Sequence, residues 1–105
     1  MQIIDIHTHI YPDKIARKAA ESIKDFYQLE GSPMDGTVEM LLKRGQEAGI
    51  SRFVVLPVSN TPTHVRSINS FLLSQAQSHD NFIGFGTLHA EMDGLMEEVD
   101  WILQN

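Results

Sequence analysis

The sequence predicts an α/β fold built from parallel β/α units, and three observations carry that prediction. Short apolar runs alternate with longer stretches whose apolar residues recur at helical spacing. One run, Phe53-Val54-Val55-Leu56, is apolar at every position, as in strands covered on both faces. Glycine, proline and Asp/Asn clusters fall between the runs, where turns belong. Strand and helix in regular alternation imply a parallel sheet with right-handed crossovers.

Gln2 to Ile10 reads as the first strand, with Ile4 and Ile6 on one face and Ile3, Asp5, His7 and His9 on the other. Tyr11-Pro12-Asp13 opens a helix, since proline suits the first turn and an acid is favourable there. Its buried stripe is Ile15, Ala19, Ile23 and Phe26. Gly31-Ser32-Pro33 breaks this helix and Asp35-Gly36 is a turn signal. Thr37 is the N-cap expected for a second helix bearing Val38, Leu41, Leu42 and Ala48, which Gly49 terminates. The apolar run 53–56 is the second strand; Pro57 closes it and Ser59 to Thr63 form a loop. Val65, Ile68, Leu72 and Ala76 line the next helix. Asp80-Asn81 turns into a third strand, Phe82 to Leu88, and from Glu91 the chain is helical again, with Leu95, Val99, Ile102 and Leu103 apolar.

A length of 105 residues suits a single core, and no repeat, low-complexity segment or linker marks an internal boundary within 1–105. The net charge of −6 argues against nucleic acid, which is bound through excess Lys and Arg. The absence of cysteine excludes disulfides and thiolate chemistry and fits a reducing cytoplasm, the expected location. Neither a signal-peptide pattern nor an apolar stretch of bilayer length is visible, so no membrane partner is expected.

The segment richest in chemistry is Asp5-Ile6-His7-Thr8-His9. Residues two apart on a strand share a face, so His7 and His9 project together. At that separation two ring nitrogens can meet one ion at about 2.0–2.1 Å each. The pair stands at a strand end, where parallel α/β folds place their active sites. Asp5, one step deeper on the same face, is a candidate to accept a hydrogen bond from a ligand histidine and fix its tautomer. The plainer reading is that His7 and His9 are satisfied polar residues at a strand end and that Asp5 is a fold-stabilising acid.

Ile3-Ile4-Asp5-Ile6-His7-Thr8-His9 resembles the opening strand of the amidohydrolase superfamily, in particular the amidohydrolase-related group that includes the aminocarboxymuconate-semialdehyde decarboxylase-like enzymes. Gly49 to Pro57 and Asn81 to His89 are similar to that group's second and third barrel strands. The resemblance implies the first three strands of a TIM barrel, truncated, since a complete (β/α)₈ barrel needs about 250 residues. It implies a divalent cation, usually zinc, held by His7 and His9. Histidines from the fifth and sixth strands and an aspartate general base from the eighth have no counterparts before Asn105. A His pair alone suits Zn, Mn, Fe and Ni alike. The activity implied is hydrolysis or decarboxylation of a small carbonyl or carboxylate substrate by metal-activated water. No catalytic residue is assigned within this chain, and as a short chain alone it is expected to be inactive. We expect it to be completed by the remainder of a barrel or by homo-oligomerisation, because three parallel strands leave two edges open.

Weaker candidates follow the other strands. His89 follows the third strand, on the same side as Thr87 and Phe85, and is a candidate to bind a substrate carboxylate; Asn60, with Thr61, follows the second strand and can line the same mouth. Both are also ordinary loop residues. His64 and His79 flank one helix and read as structural, the latter through the helix dipole. Tyr11 either covers the pocket or packs on Pro12, and Phe26, Tyr27, Met34 and Met40 read as core or interface filler. Gly84-Phe85-Gly86 is no phosphate loop; its glycines permit close backbone packing. A metal-dependent phosphoesterase barrel also opens with His-x-His, but a Ser/Asp-rich stretch then follows, where this chain has Ile10-Tyr11-Pro12-Asp13-Lys14. A non-catalytic α/β module that self-associates through its strand edges is the third possibility.

Overall fold

The computed structural model describes residues 1–28, 30 and 35–105. In chain order these form β1 (Ile4–Thr8), α1 (Asp13–Phe26), α2 (Val38–Ala48), β2 (Arg52–Val55), a 3₁₀ turn (Pro62–His64), α3 (Val65–Ser78), β3 (Phe82–Gly84) and α4 (Leu95–Gln104). The expected break at Gly31-Ser32-Pro33 and the filler residue Met34 lie outside the described residues.

The strands make one parallel sheet in the order β1-β2-β3. Each crossover advances in the same direction, so right-handed connections carry their helices to the same face. Packing agrees: α2 and α3 both press on the cluster of Ile10, Phe53, Val55, Leu72 and Phe82. Phe53 and Phe82 meet edge to face, ring centroids 6.0 Å apart. Full burial of such side chains stabilises by about 1.5–3 kcal/mol each. Gly45 on α2 lets the helix settle directly onto the Phe53 ring. The opposite face, with Val54 and Ile83, is left half-exposed, and on the edge strand β1 Ile6 is 74% exposed.

β1 departs from regular alternation. Asp5 aligns with Phe53 and Thr8 with Val55, three steps on one strand against two on the other. The extra residue is a bulge. It lies at Ile6–His7, and Thr8 restores the register after it, its Oγ1 donating to the Val54 carbonyl at 2.8 Å while its own carbonyl accepts the Leu56 N–H at 2.8 Å. The expectation that Asp5 shares a face with His7 and His9 is therefore corrected. Asp5 and Thr8 both line up with helix-facing residues of β2, and the histidines flanking Thr8 turn to the other side.

Element ends also differ from expectation. β1 covers Ile4–Thr8 rather than Gln2–Ile10, because β2 offers partners only that far. β3 stops at Gly84 rather than Leu88, since beyond it the Asn69 side chain, not a strand, takes the Thr87 backbone groups. The last helix begins at Leu95, not Glu91, because Gly94 precedes it in the left-handed conformation. The α1 stripe is rotated: Ala16 is its buried residue, while Ile15 and Phe26 are exposed, the latter at 79%. Phe26 and Tyr27 pair edge to face on the surface rather than filling the core.

The second helix is capped as its sequence predicts. Thr37 Oγ1 accepts the Met40 N–H at 3.1 Å, and Gly49 ends the helix with φ of +76°. Nothing lies within 4 Å of a Cβ built at Gly49, so Gly49→Ala suffers only backbone strain. It should lose about 1 kcal/mol in chemical denaturation, and Gly49→Asn less, since asparagine tolerates this conformation. Asp35 anchors the same cap, its Oδ1 accepting the Thr37 N–H (2.9 Å) and Oγ1–H (2.7 Å). The backbone hydrogen bond from Thr37 first, then its hydroxyl, holds the Asp35 carboxyl below its ordinary 3.8. Its contribution is present above pH 3.8 and lost as pH falls through the lower folded-state value. A carboxyl NMR titration should find the Asp35 midpoint below 3.8, and Thr37→Val should raise it.

Candidate metal centre

All three strands run the same way, so their C-terminal ends share one edge of the sheet. His7 and His9 leave β1 there. Their Nε2 atoms stand 3.1 Å apart, with ring centroids at 5.0 Å and planes at 79°. The bulge produces this: Thr8 is buried toward the helices, leaving its two neighbours on the open side, His7 exposed and His9 half-buried.

His9 is oriented from behind. Its Nδ1 lies 2.8 Å from the Leu56 carbonyl, which only accepts, so Nδ1 carries the proton. In the neutral ring, Nε2 then holds a lone pair aimed at His7. A carbonyl behind a ligand imidazole is a common way to fix its tautomer and raise its basicity. Bonds of about 2.0–2.1 Å from both Nε2 atoms, 3.1 Å apart, would subtend about 100° at a shared ion, between octahedral and tetrahedral values. Without a cation the same spacing suits a hydrogen bond from His7 Nε2–H to His9 Nε2. The donor set and spacing thus fit two sites of a divalent ion. Among the described residues no group of three or more His, Asp or Glu is gathered to complete it.

Asp5 accepts no hydrogen bond from either ring. Its Oδ1 accepts the His7 backbone N–H at 3.1 Å, bracing the main chain at the bulge. The expected support for a ligand ring comes from Leu56 instead. Asn60 is exposed in the loop after β2, where Ser59 Oγ donates across it to the Thr61 carbonyl at 2.7 Å. His89 is half-buried, and its Nδ1 accepts the Glu91 N–H at 3.1 Å, so the proton of the neutral ring sits on Nε2. Both belong to the edge that carries the pair, and neither hydrogen-bonds to it among the described residues. His79 caps α3 through Nδ1 to the Gln75 carbonyl (3.1 Å) and packs on Phe82; His64 is exposed. Tyr11 is half-buried, its N–H bonded to the Gly36 carbonyl and its ring beside Gly36; burial pushes its hydroxyl pKa up.

Thr8 and Leu56 carry no signal a sequence reading could use. One acts through a bulge set by pairing, the other through a main-chain carbonyl that any residue possesses. The family models, the curated proteins and the solved structures contain no match to the chain. No helix among the described residues is long and apolar enough to cross a membrane.

Proposed function

We propose that the chain supplies the first metal ligands of a metal-dependent hydrolase of the amidohydrolase-related type, as the first three strands of a (β/α) barrel. The observation that carries the proposal is the His7–His9 pair, Nε2 to Nε2 at 3.1 Å with the His9 tautomer held by Leu56. The strand order β1-β2-β3 supports the barrel, because a singly wound sheet keeps its helices on one face and leaves the other for the interior. A bound divalent cation, zinc foremost, would supply Lewis acidity and an ionised water near neutral pH. The chain's own share is positioning. Leu56 and the bulge before Thr8 aim the imidazoles, and the His89 Nε2–H and Asn60 amide would hold the carboxylate or carbonyl of a small substrate. The cysteine-free composition suits a reducing compartment such as the cytoplasm. Completion of the ligand set falls to the remaining strands of the barrel. Zinc titration of wild type beside His7→Ala/His9→Ala tests the proposal, and equal uptake by the two removes it.

Self-association is the second reading, favoured by Ile4 and Ile6, exposed on the edge strand β1, and by Ile3, exposed just before it. A monomeric mass by light scattering at tens of micromolar removes it.

A further inference from the structure

The chemistry at the sheet edge leaves one buried polar cluster unused, on α3 and α4. Asn69 is 3% exposed and Glu98 5%, positions at which uncompensated polar groups are costly. Asn69 bonds Thr87 on both backbone groups: Oδ1 accepts its N–H at 2.8 Å and Nδ2 donates to its carbonyl at 3.0 Å. Nδ2 also donates to Glu98 Oε1 at 2.9 Å. Glu98 Oε2 faces Arg66 Nε at 3.5 Å, and Arg66 Nη2 donates to the Asp93 carbonyl at 2.9 Å. Gly94 gives the guanidinium its room, since a Cβ there would stand 2.5 Å from Nη2.

These contacts grip both ends of the 87–94 loop, Thr87 at its start and Asp93-Gly94 at its finish. His89 lies between them. We infer that Asn69, Glu98 and Arg66 form a latch whose task is to position His89, holding its Nε2–H toward the edge that carries His7 and His9. They are positioning residues, acting through the loop. A carboxylate or carbonyl oxygen is the chemistry a fixed Nε2–H would take. The substrate role of His89 rests on the function proposed above; the latch itself does not.

The test is NMR of the full chain, reading the His89 ring nitrogens and hydrogen exchange of the Glu91 N–H that bonds His89 Nδ1. In Asn69→Ala the ring should lose its single-tautomer signature and the Glu91 amide should exchange about tenfold faster. Arg66→Gln, at an exposed position and safer for folding, should give the same change in smaller measure. Phe53→Leu, a core change away from the loop, should lower stability and leave both signals in place. The inference is overturned if the His89 ring and Glu91 amide of folded Arg66→Gln match wild type, or if Phe53→Leu disturbs them equally. Zinc titration of Arg66→Gln separates the two proposals. Retained binding beside altered His89 signals supports the latch, whereas absent zinc binding in wild type defeats the metal reading and leaves the latch standing.

Discussion

Replacing His7 and His9 together with alanine should weaken zinc binding by about 100-fold or more while the fold persists. Loss of an outer partner of a metal ligand typically costs about 10–100-fold, and loss of both ligands should exceed that. Stability should fall by about 0.5–1.5 kcal/mol, the usual worth of the lost hydrogen bond from His9 Nδ1 to the Leu56 carbonyl, because His7 is exposed and the bulge depends on Thr8, Asp5 and backbone groups. Calorimetric titration with zinc reads the affinity, and a thermal melt of the same samples reads the fold. A double variant that takes up zinc like wild type would end the metal assignment. Each histidine also makes a separate prediction. His9, held through Nδ1 by Leu56, should show the Nδ1–H tautomer in nitrogen NMR of the metal-free protein. Zinc should then shift its Nε2 resonance and leave Nδ1 protonated.

The largest loss of stability should come from the smallest added group, a methyl at Gly45. A Cβ built there stands 2.1 Å from Phe53 Cζ and 2.8 Å from Cε1. The Phe53 ring is fully buried and braced by Phe82, so it has little room to turn aside. Replacing a mid-helix glycine by alanine gains about 1 kcal/mol of propensity. Overpacking of a tight core costs about 1–3 kcal/mol or more, and with overlap this deep it wins. We expect a net loss of about 2 kcal/mol, or about 10 °C in Tm for a domain of this size. Trimming the ring should relieve it: Phe53→Leu removes Cζ and Cε1. Gly45→Ala/Phe53→Leu should therefore be less destabilised than the sum of its singles by about 1–2 kcal/mol. Thermal melts of the four proteins measure this, and a Gly45→Ala variant as stable as wild type would show that α2 does not sit on Phe53 as described.

The second strand, the caps at Thr37 and Gly49 and the αβ alternation are legible in the residues themselves. Each reflects a local rule: an unbroken apolar run, a hydroxyl that accepts an N–H, a glycine free to take positive φ. The helical stripes are legible less exactly. Ala16 and Asn69 are buried while Ile15 and Phe26 are exposed, because the line of contact depends on where a neighbouring element lies. Glu98 is buried because Asn69 and Arg66, 29 and 32 positions earlier, meet it there, a pairing that no local rule announces.

From its sequence alone, this protein had to be a parallel α/β chain with two histidines two residues apart near the end of its first strand. Local propensity and period settle that much, since they act between neighbours along the chain. That the two rings converge to 3.1 Å, that Asp5 turns from them, and that the Leu56 carbonyl just past β2 sets the His9 tautomer came from pairing between segments nearly fifty residues apart. A bulge is a mismatch between two strands, and neither strand's residues specify it without the other.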